Sequence, residues 1–134
     1  MTIGDLRFLY VGTADTDASV AHYTTTLGGT LRWRFQHFGA DVAAIELGDG
    51  PLVLLADHRP AGSVLPLWVV EDLDAMIDAC RARGAEVEGP AGTPDGPAIV
   101  VREPGGTEVG FIRIDRPGAL DGAWQDAENT HRVR

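Results

Sequence analysis

The sequence predicts an α+β fold: two βαβββ modules forming a curved mixed β-sheet that encloses a cavity, with the helices outside. Three observations carry this. Short β-branched and aromatic runs alternate with two amphipathic stretches. Turn residues are abundant, 17 Gly and 8 Pro in 134 residues, against about 12% expected for the two together. The element order of the first half also recurs in the second at an offset of 57 residues: Asp15-Thr16-Asp17-Ala18 falls on Asp72-Leu73-Asp74-Ala75, Val20 on Ile77 and Tyr23 on Cys80. One such unit of about 55 residues cannot bury both faces of its own sheet, so the two are expected to share one structural domain. The expected organisation is residues 1–58 as the first module, 59–116 as the second, and 117–134 as a C-terminal tail.

Each element has its own local reason. Leu6–Val11 is short, apolar and ends at Gly12, which reads as a strand. Thr13 or Asp15 can cap a helix whose apolar face is Val20, Tyr23 and Leu27, and Gly28 and Gly29 stop it. Leu31, Trp33 and Phe35 alternate with Arg32, Arg34 and Gln36, the mark of a half-buried strand. Val42–Leu47 and Leu52–Ala56 are two further strands, and DHRPAGS is a polar connection. In the second half Leu65–Val70 is a strand, and Asp72 caps a helix carrying the stripe Leu73, Met76, Ile77 and Cys80. Glu86–Glu88, Pro97–Arg102 and Glu108–Ile114 complete the set. In the tail, a short helix around Leu120–Glu128 docking Trp124 and a frayed end are both open.

Composition narrows the function. Twenty acidic against eleven basic residues leave a net charge of −9, so a polyanion is repelled on average and nucleic acid is not an expected partner. No apolar run approaches the length of a membrane span, and residues 1–12 carry no basic region followed by an apolar core. One cysteine forms no internal disulfide, which fits a reducing, cytoplasmic setting. Gly89–Pro97 is glycine-rich but lacks a following Lys-Ser/Thr, so it is no phosphate loop. No Ser-His-Asp or Cys-His set can be assembled, and Cys80 belongs to the helix stripe.

The stretches VGTADTDASVAHYTTTLGG, VVEDLDAMIDACRARGAEV and REPGGTEVGFIRI, in that order, resemble the vicinal-oxygen-chelate superfamily over roughly residues 5–114. Its members include glyoxalases, ring-cleaving dioxygenases, and bleomycin- and fosfomycin-resistance proteins. The strand-to-helix junction Val70–Asp74, the helix end Tyr23–Gly28 and the turn Glu103-Pro104-Gly105-Gly106-Thr107 carry the likeness. In metal-dependent members the resemblance implies His, Gln or Glu ligands on the first and last strands of each module. Those positions correspond here to Phe8, Val53, Leu65 and Gly110, with the register at Val53 open to a slip of one residue. Neither these residues nor their neighbours offer a donor, and no cofactor is expected. Glyoxalase, dioxygenase and fosfomycin-resistance chemistries, which use the ion as Lewis acid or template, are therefore argued against.

An apolar cavity remains. Phe8, Tyr10, Trp33, Phe35, His37, Val53, Leu65, Leu67 and Gly110 are the candidate ligand-binding residues, with Trp68 turned toward the helix. Aromatic residues supply flat stacking area with a polar handle, and His37 at the rim could exchange a proton. Plain core packing competes with this for the aromatics, and an exposed strand end for His37. Arg32 and Arg34 are expected on the solvent or subunit side; turned inward, they would recruit a carboxylate or phosphate. The leading reading is a metal-independent protein that sequesters an apolar or aromatic small molecule, such as an antibiotic or metabolite. No catalytic residues are assigned to it, and the resemblance implies a homodimer. A metal-free isomerase or cyclase using Tyr10 or His37, and an interaction module with a filled cavity, are the alternatives.

Overall fold

The computed structural model describes residues 2–133. Contacts divide the chain into two compact units, Phe8–Val64 with Asp121–Arg134, and Met1–Arg7 with Leu65–Leu120. Strand β1 (Ile3–Gly12) crosses from one unit to the other at Arg7/Phe8. The fold is α+β with mixed strands, as expected, and the order βαβββ occurs twice.

The unit around Phe8–Val64 contains α1 (Thr16–Ala21), β2 (Thr30–His37), β3 (Ala40–Glu46) and β4 (Leu52–Ala56). Its strands lie in the order β2-β3-β4-β1, with β4 and β1 parallel and the rest antiparallel. Asp15 is the cap of α1: its carboxylate accepts from the Ala18 amide at 3.0 Å, while Thr13 Oγ1 accepts from the Asp15 amide at 3.1 Å. The helix then widens into a π-helical turn, His22–Thr26. That turn rotates Leu27 off the expected stripe, leaving it 48% exposed. Val20 and Tyr23 stay on the sheet and pack against Ala43, Ile45, Val53 and Leu55. Gly29 is required here, because a Cβ would stand 2.8 Å from the Tyr23 carbonyl oxygen and from Ile45.

The second unit contains β5 (Val64–Val70), α2 (Leu73–Ala82), β6 (Glu86–Gly92), β7 (Pro97–Arg102) and β8 (Glu108–Ile112). Its order is β5-β8-β7-β6, again with one parallel pair, β5 with β8. Asp72 caps α2 by accepting from the Ala75 amide at 2.9 Å, the counterpart of Asp15 at the offset read from the sequence. Leu73, Met76 and Ile77 pack on Val70, Ile99, Val101 and Phe111, with Trp68 and Cys80 at the margin. Each such side chain contributes about 1.5–3 kcal/mol through burial. β6 runs further than the expected Glu86–Glu88, reaching Gly92 through a register shift between Glu88 and Ala91.

The tail forms α3 (Ala119–Gln125). Buried Asp95 holds its start, accepting from the Leu120 amide at 2.7 Å. Beyond α3 the chain returns along the free edge of β2. The Gln36 amide donates to the His131 carbonyl at 2.9 Å, and the Val133 amide to the Arg34 carbonyl at 2.8 Å.

Candidate functional site

Side chains on one face of a sheet recur every second residue, and the pairing register shows which belong together. In the first unit Tyr10 pairs with Leu54, Leu54 with Ala44, and Ala44 with Trp33. The next row is Gly12, Ala56, Val42 and Phe35. Both rows lie on the face turned away from α1. Ala44, Leu54, Val42 and Ala56 are its buried floor. Tyr10 and the Trp33–Phe35 pair flank that floor, three strand spacings or about 14 Å apart.

The β2 side is filled by aromatic rings. Trp33 is 3% exposed and stacks on Phe35, with centroids 5.9 Å apart. Phe35 stacks on Trp124 of α3 at 4.0 Å, the ring planes 14° apart. The same helix supplies Asp121. One of its oxygens accepts from the Trp33 indole N–H at 2.8 Å, the other from the Arg32 guanidinium Nη2 at 2.7 Å. Arg32 Nη1 stands 3.7 Å from Glu46, and Arg32 Nε is buried with no hydrogen-bond partner.

A β-bulge makes this arrangement. Leu31 pairs with Ile45 and Trp33 with Ala44, so two steps on β2 oppose one on β3. Arg32 is the extra residue, and the bulge aims it to the side where Trp33 also reaches Asp121. Strict alternation had sent Arg32 to the other side; the structure corrects that, and the carboxylate it recruits is the chain's own. Arg34 takes two carboxylates, Asp41 with Nη2 at 2.6 Å and Asp17 with Nη1 at 2.7 Å. The Arg34 charge and hydrogen bonds hold the Asp41 carboxyl below its ordinary value, against the opposing effect of burial.

On the β1 side Tyr10 meets the edge of His58, ring centroids 5.6 Å apart. Burial pushes the Tyr10 phenol up to about 12, partly opposed by the Arg59 charge. Phe8, 5% exposed, shares this face with Tyr10, as expected. Val53 does not: it pairs with Leu9 and packs in the cluster under α1. The β4 residues beside Phe8 and Tyr10 are Leu52 and Leu54. The offset between repeats explains the slip, for it is 57 residues at the helix caps and 56 at the last strand, where Leu54 matches Gly110. His37 lies at the end of β2, its ring 3.6 Å from His131 and 3.7 Å from Phe38. Phe38 occupies the turn with φ 54° and is 85% exposed.

In the second unit Leu67 pairs with Gly110, on the face opposite Trp68 and Phe111. Leu65 and Leu67 are buried there. A Cβ on Gly110 would stand 2.6 Å from Leu67 Cδ1, so Leu67 fills the space that a larger side chain at 110 would need. A cleft of about 370 Å³ is lined by Glu86, Val87, Glu88, Val100, Arg102 and Glu108, with Arg102 3.5 Å from Glu108.

A divalent cation requires several N or O donors converging on one point. Phe8, Leu54, Leu65 and Gly110 supply none, and no group of three or more His, Cys, Asp or Glu among the described residues could hold a metal ion. The donor set does not fit the ion that the resemblance associates with metal-dependent members. Alternation and helix spacing did not single out Asp121, His58 or the inward Arg32. The one signal for Asp121 was its i, i+3 spacing from Trp124 in an otherwise polar tail.

Comparison with known proteins agrees with the fold. The family model described as Glyoxalase/Bleomycin resistance protein/Dioxygenase superfamily matches residues 6–111. Methylmalonyl-CoA epimerase from Mycobacterium tuberculosis is similar at 18% identity and TM-score 0.67, covering 84% of this chain and 89% of that one. The Streptomyces coelicolor methylmalonyl-CoA epimerase is similar at 16% identity and TM-score 0.67, over 86% of this chain and 100% of that one. TnmS3, an antibiotic binding protein from Streptomyces sp. CB03234, is 24% identical over 86% of this chain and 99% of that one, with TM-score 0.42. No curated protein matches the chain.

Proposed function

The chain belongs to the Glyoxalase/Bleomycin resistance protein/Dioxygenase superfamily, and from that premise we propose that it is a metal-independent small-molecule-binding protein. Its ligand is apolar or aromatic, an antibiotic or a metabolite held out of solution. The observation that carries this reading is the ring stack on β2. Phe35 already presents a face on which a flat indole lies nearly parallel at 4.0 Å, beside an apolar floor. Ligand sites are typically apolar walls with a few placed polar groups, and here those groups are Trp33 Nε1, Arg32 and the Tyr10 phenol. The same reading has the protein act as a cytoplasmic homodimer; among the described residues no helix is long and apolar enough to cross a membrane.

Tryptophan fluorescence tests it directly, because Trp33 and Trp124 border the proposed seat. A broad panel of flat aromatic compounds is expected to include members that quench or shift the emission saturably. Silence across the panel would leave the stack as plain core and favour the interaction-module reading.

The enzyme reading keeps one supporting observation. A phenol pushed up to about 12 by burial stays protonated at neutral pH and can donate a hydrogen bond to a developing oxyanion. His37 is unsuited to act with it on one small substrate, since β3 and β4 lie between their strands. If the protein is an isomerase, Tyr10→Phe abolishes turnover and leaves affinity intact; if it is a binder, only affinity responds.

A further inference from the structure

Resting on that binding reading, we propose that Asp121 and Trp124 are a built-in stand-in for the ligand, and that the ligand is a flat aromatic carboxylate. The two side chains are one helical turn apart and present the two halves of such a molecule. Trp124 gives a planar ring lying on Phe35 at 4.0 Å. Asp121 gives a carboxylate whose oxygens accept from Trp33 Nε1 at 2.8 Å and from Arg32 Nη2 at 2.7 Å.

The receiving groups belong to β2 and remain when α3 is lifted away. A carboxylate and an aromatic face are then what Arg32, Trp33 and Phe35 are arranged to take. The seat is also only partly satisfied by its tethered occupant, because Arg32 Nε is buried without a partner. A free carboxylate can bind the guanidinium side-on, through Nε and Nη2 together, which is the stronger geometry for this pair. Asp121, held by its helix, spans Nη2 and the indole instead. A neutral amide brings one carbonyl acceptor and no charge, so it cannot pair the guanidinium and the indole N–H as a carboxylate does, and polar selectivity arises from that difference.

The stand-in competes as an intramolecular group, at an effective concentration on the order of millimolar. Weakening it should therefore strengthen binding of the free acid. Full-length wild-type protein, Asp121→Asn and Trp124→Ala are titrated by calorimetry with 2-naphthoate and with neutral 2-naphthamide. The expected result is at least tenfold tighter naphthoate binding by each variant than by wild type, with a smaller gain for naphthamide than for naphthoate in Asp121→Asn. Adding Arg32→Leu to Asp121→Asn should then erase the preference for the acid. Should Trp124→Ala fail to fold by circular dichroism, Asp121→Asn and its Arg32→Leu derivative carry the test, since both keep the ring stack. Equal affinities for acid and amide in all proteins, or weaker naphthoate binding by Asp121→Asn, would overturn the inference while leaving the binding reading in place. No binding of any flat aromatic by wild type or variants would overturn the binding reading itself.

Discussion

The two βαβββ repeats agree on the helix side and part company on the other. Asp15 and Asp72 cap their helices with the same bond, at 3.0 and 2.9 Å, and apolar residues of both helices pack on an apolar sheet face. The opposite face of the first repeat carries Tyr10, Trp33 and Phe35 and is covered by Trp124. That of the second carries Leu67 folded over Gly110, with Glu86, Glu88, Arg102 and Glu108 toward β6. The outer strands differ too. β2 is closed by main-chain bonds to residues 131 and 133, whereas β6 has exposed Glu86 and Glu88 and a register break, two devices that discourage further strand pairing. The helix side is set by burial alone, which tolerates few solutions. The other side is free to diverge, and there the repeats acquire different chemistry.

The largest effect should come from uncovering the first face. Trp124→Ala is expected to cost about 3–5 kcal/mol of folding stability, read from a denaturant midpoint. A loss below about 1 kcal/mol would mean that α3 is not part of the core and that the two faces are equally open. Next is Gly110→Ala in the second repeat. Its Cβ would collide with Leu67, and overpacking of this kind costs about 1–3 kcal/mol. Adding Leu67→Ala should make the glycine substitution nearly neutral. If the double mutant shows no such coupling, the close approach of Leu67 to Gly110 is not what the second face depends on.

Charge distinguishes the repeats at a smaller scale. Asp41 sits beside Arg34, which is raised by the same pair of carboxylates, and the Asp41 carboxyl is lowered from 3.8. A depressed carboxyl contributes stability above its unfolded value and loses it as pH falls through the folded one. Acid destabilisation from this pair is therefore expected below about pH 4, and Asp41→Asn should flatten that limb at a cost of about 1–2 kcal/mol, read from thermal melts across pH 2–6. The smallest effect is shared. Asp15→Ala and Asp72→Ala should each cost about 1 kcal/mol. A clear inequality would show that the π-helical turn after α1 changes how much the first helix relies on its cap.

Most of the fold was legible because its determinants are local or periodic. Alternation in Leu31–Phe35, the stripe of α2 and the two aspartate caps each follow from neighbours within one element. The likeness to a known family added which positions on the first and last strands of each module were expected to point inward. The site was half legible. Period two pairs Phe8 with Tyr10 on β1 and Trp33 with Phe35 on β2, and the strand register joins the two pairs on one face. Val53 was misplaced because one residue more separates the first module's helix cap from its last strand than in the second, and period two turns such a slip into a change of face. Arg32 was misjudged because a bulge depends on how two strands meet, which no single strand's pattern records.

What the sequence by itself determined is the set of elements with their caps and turns. These are properties of residue type and spacing along one chain. Only the tertiary structure decided that Trp124 and Asp121, some 90 residues after Trp33, come back to rest on β2. Contacts of that separation are selected by the burial of a whole aromatic face and by the pairing of the half-buried Asp121 carboxylate with Arg32 and Trp33. Those energies exist only once the sheet is assembled.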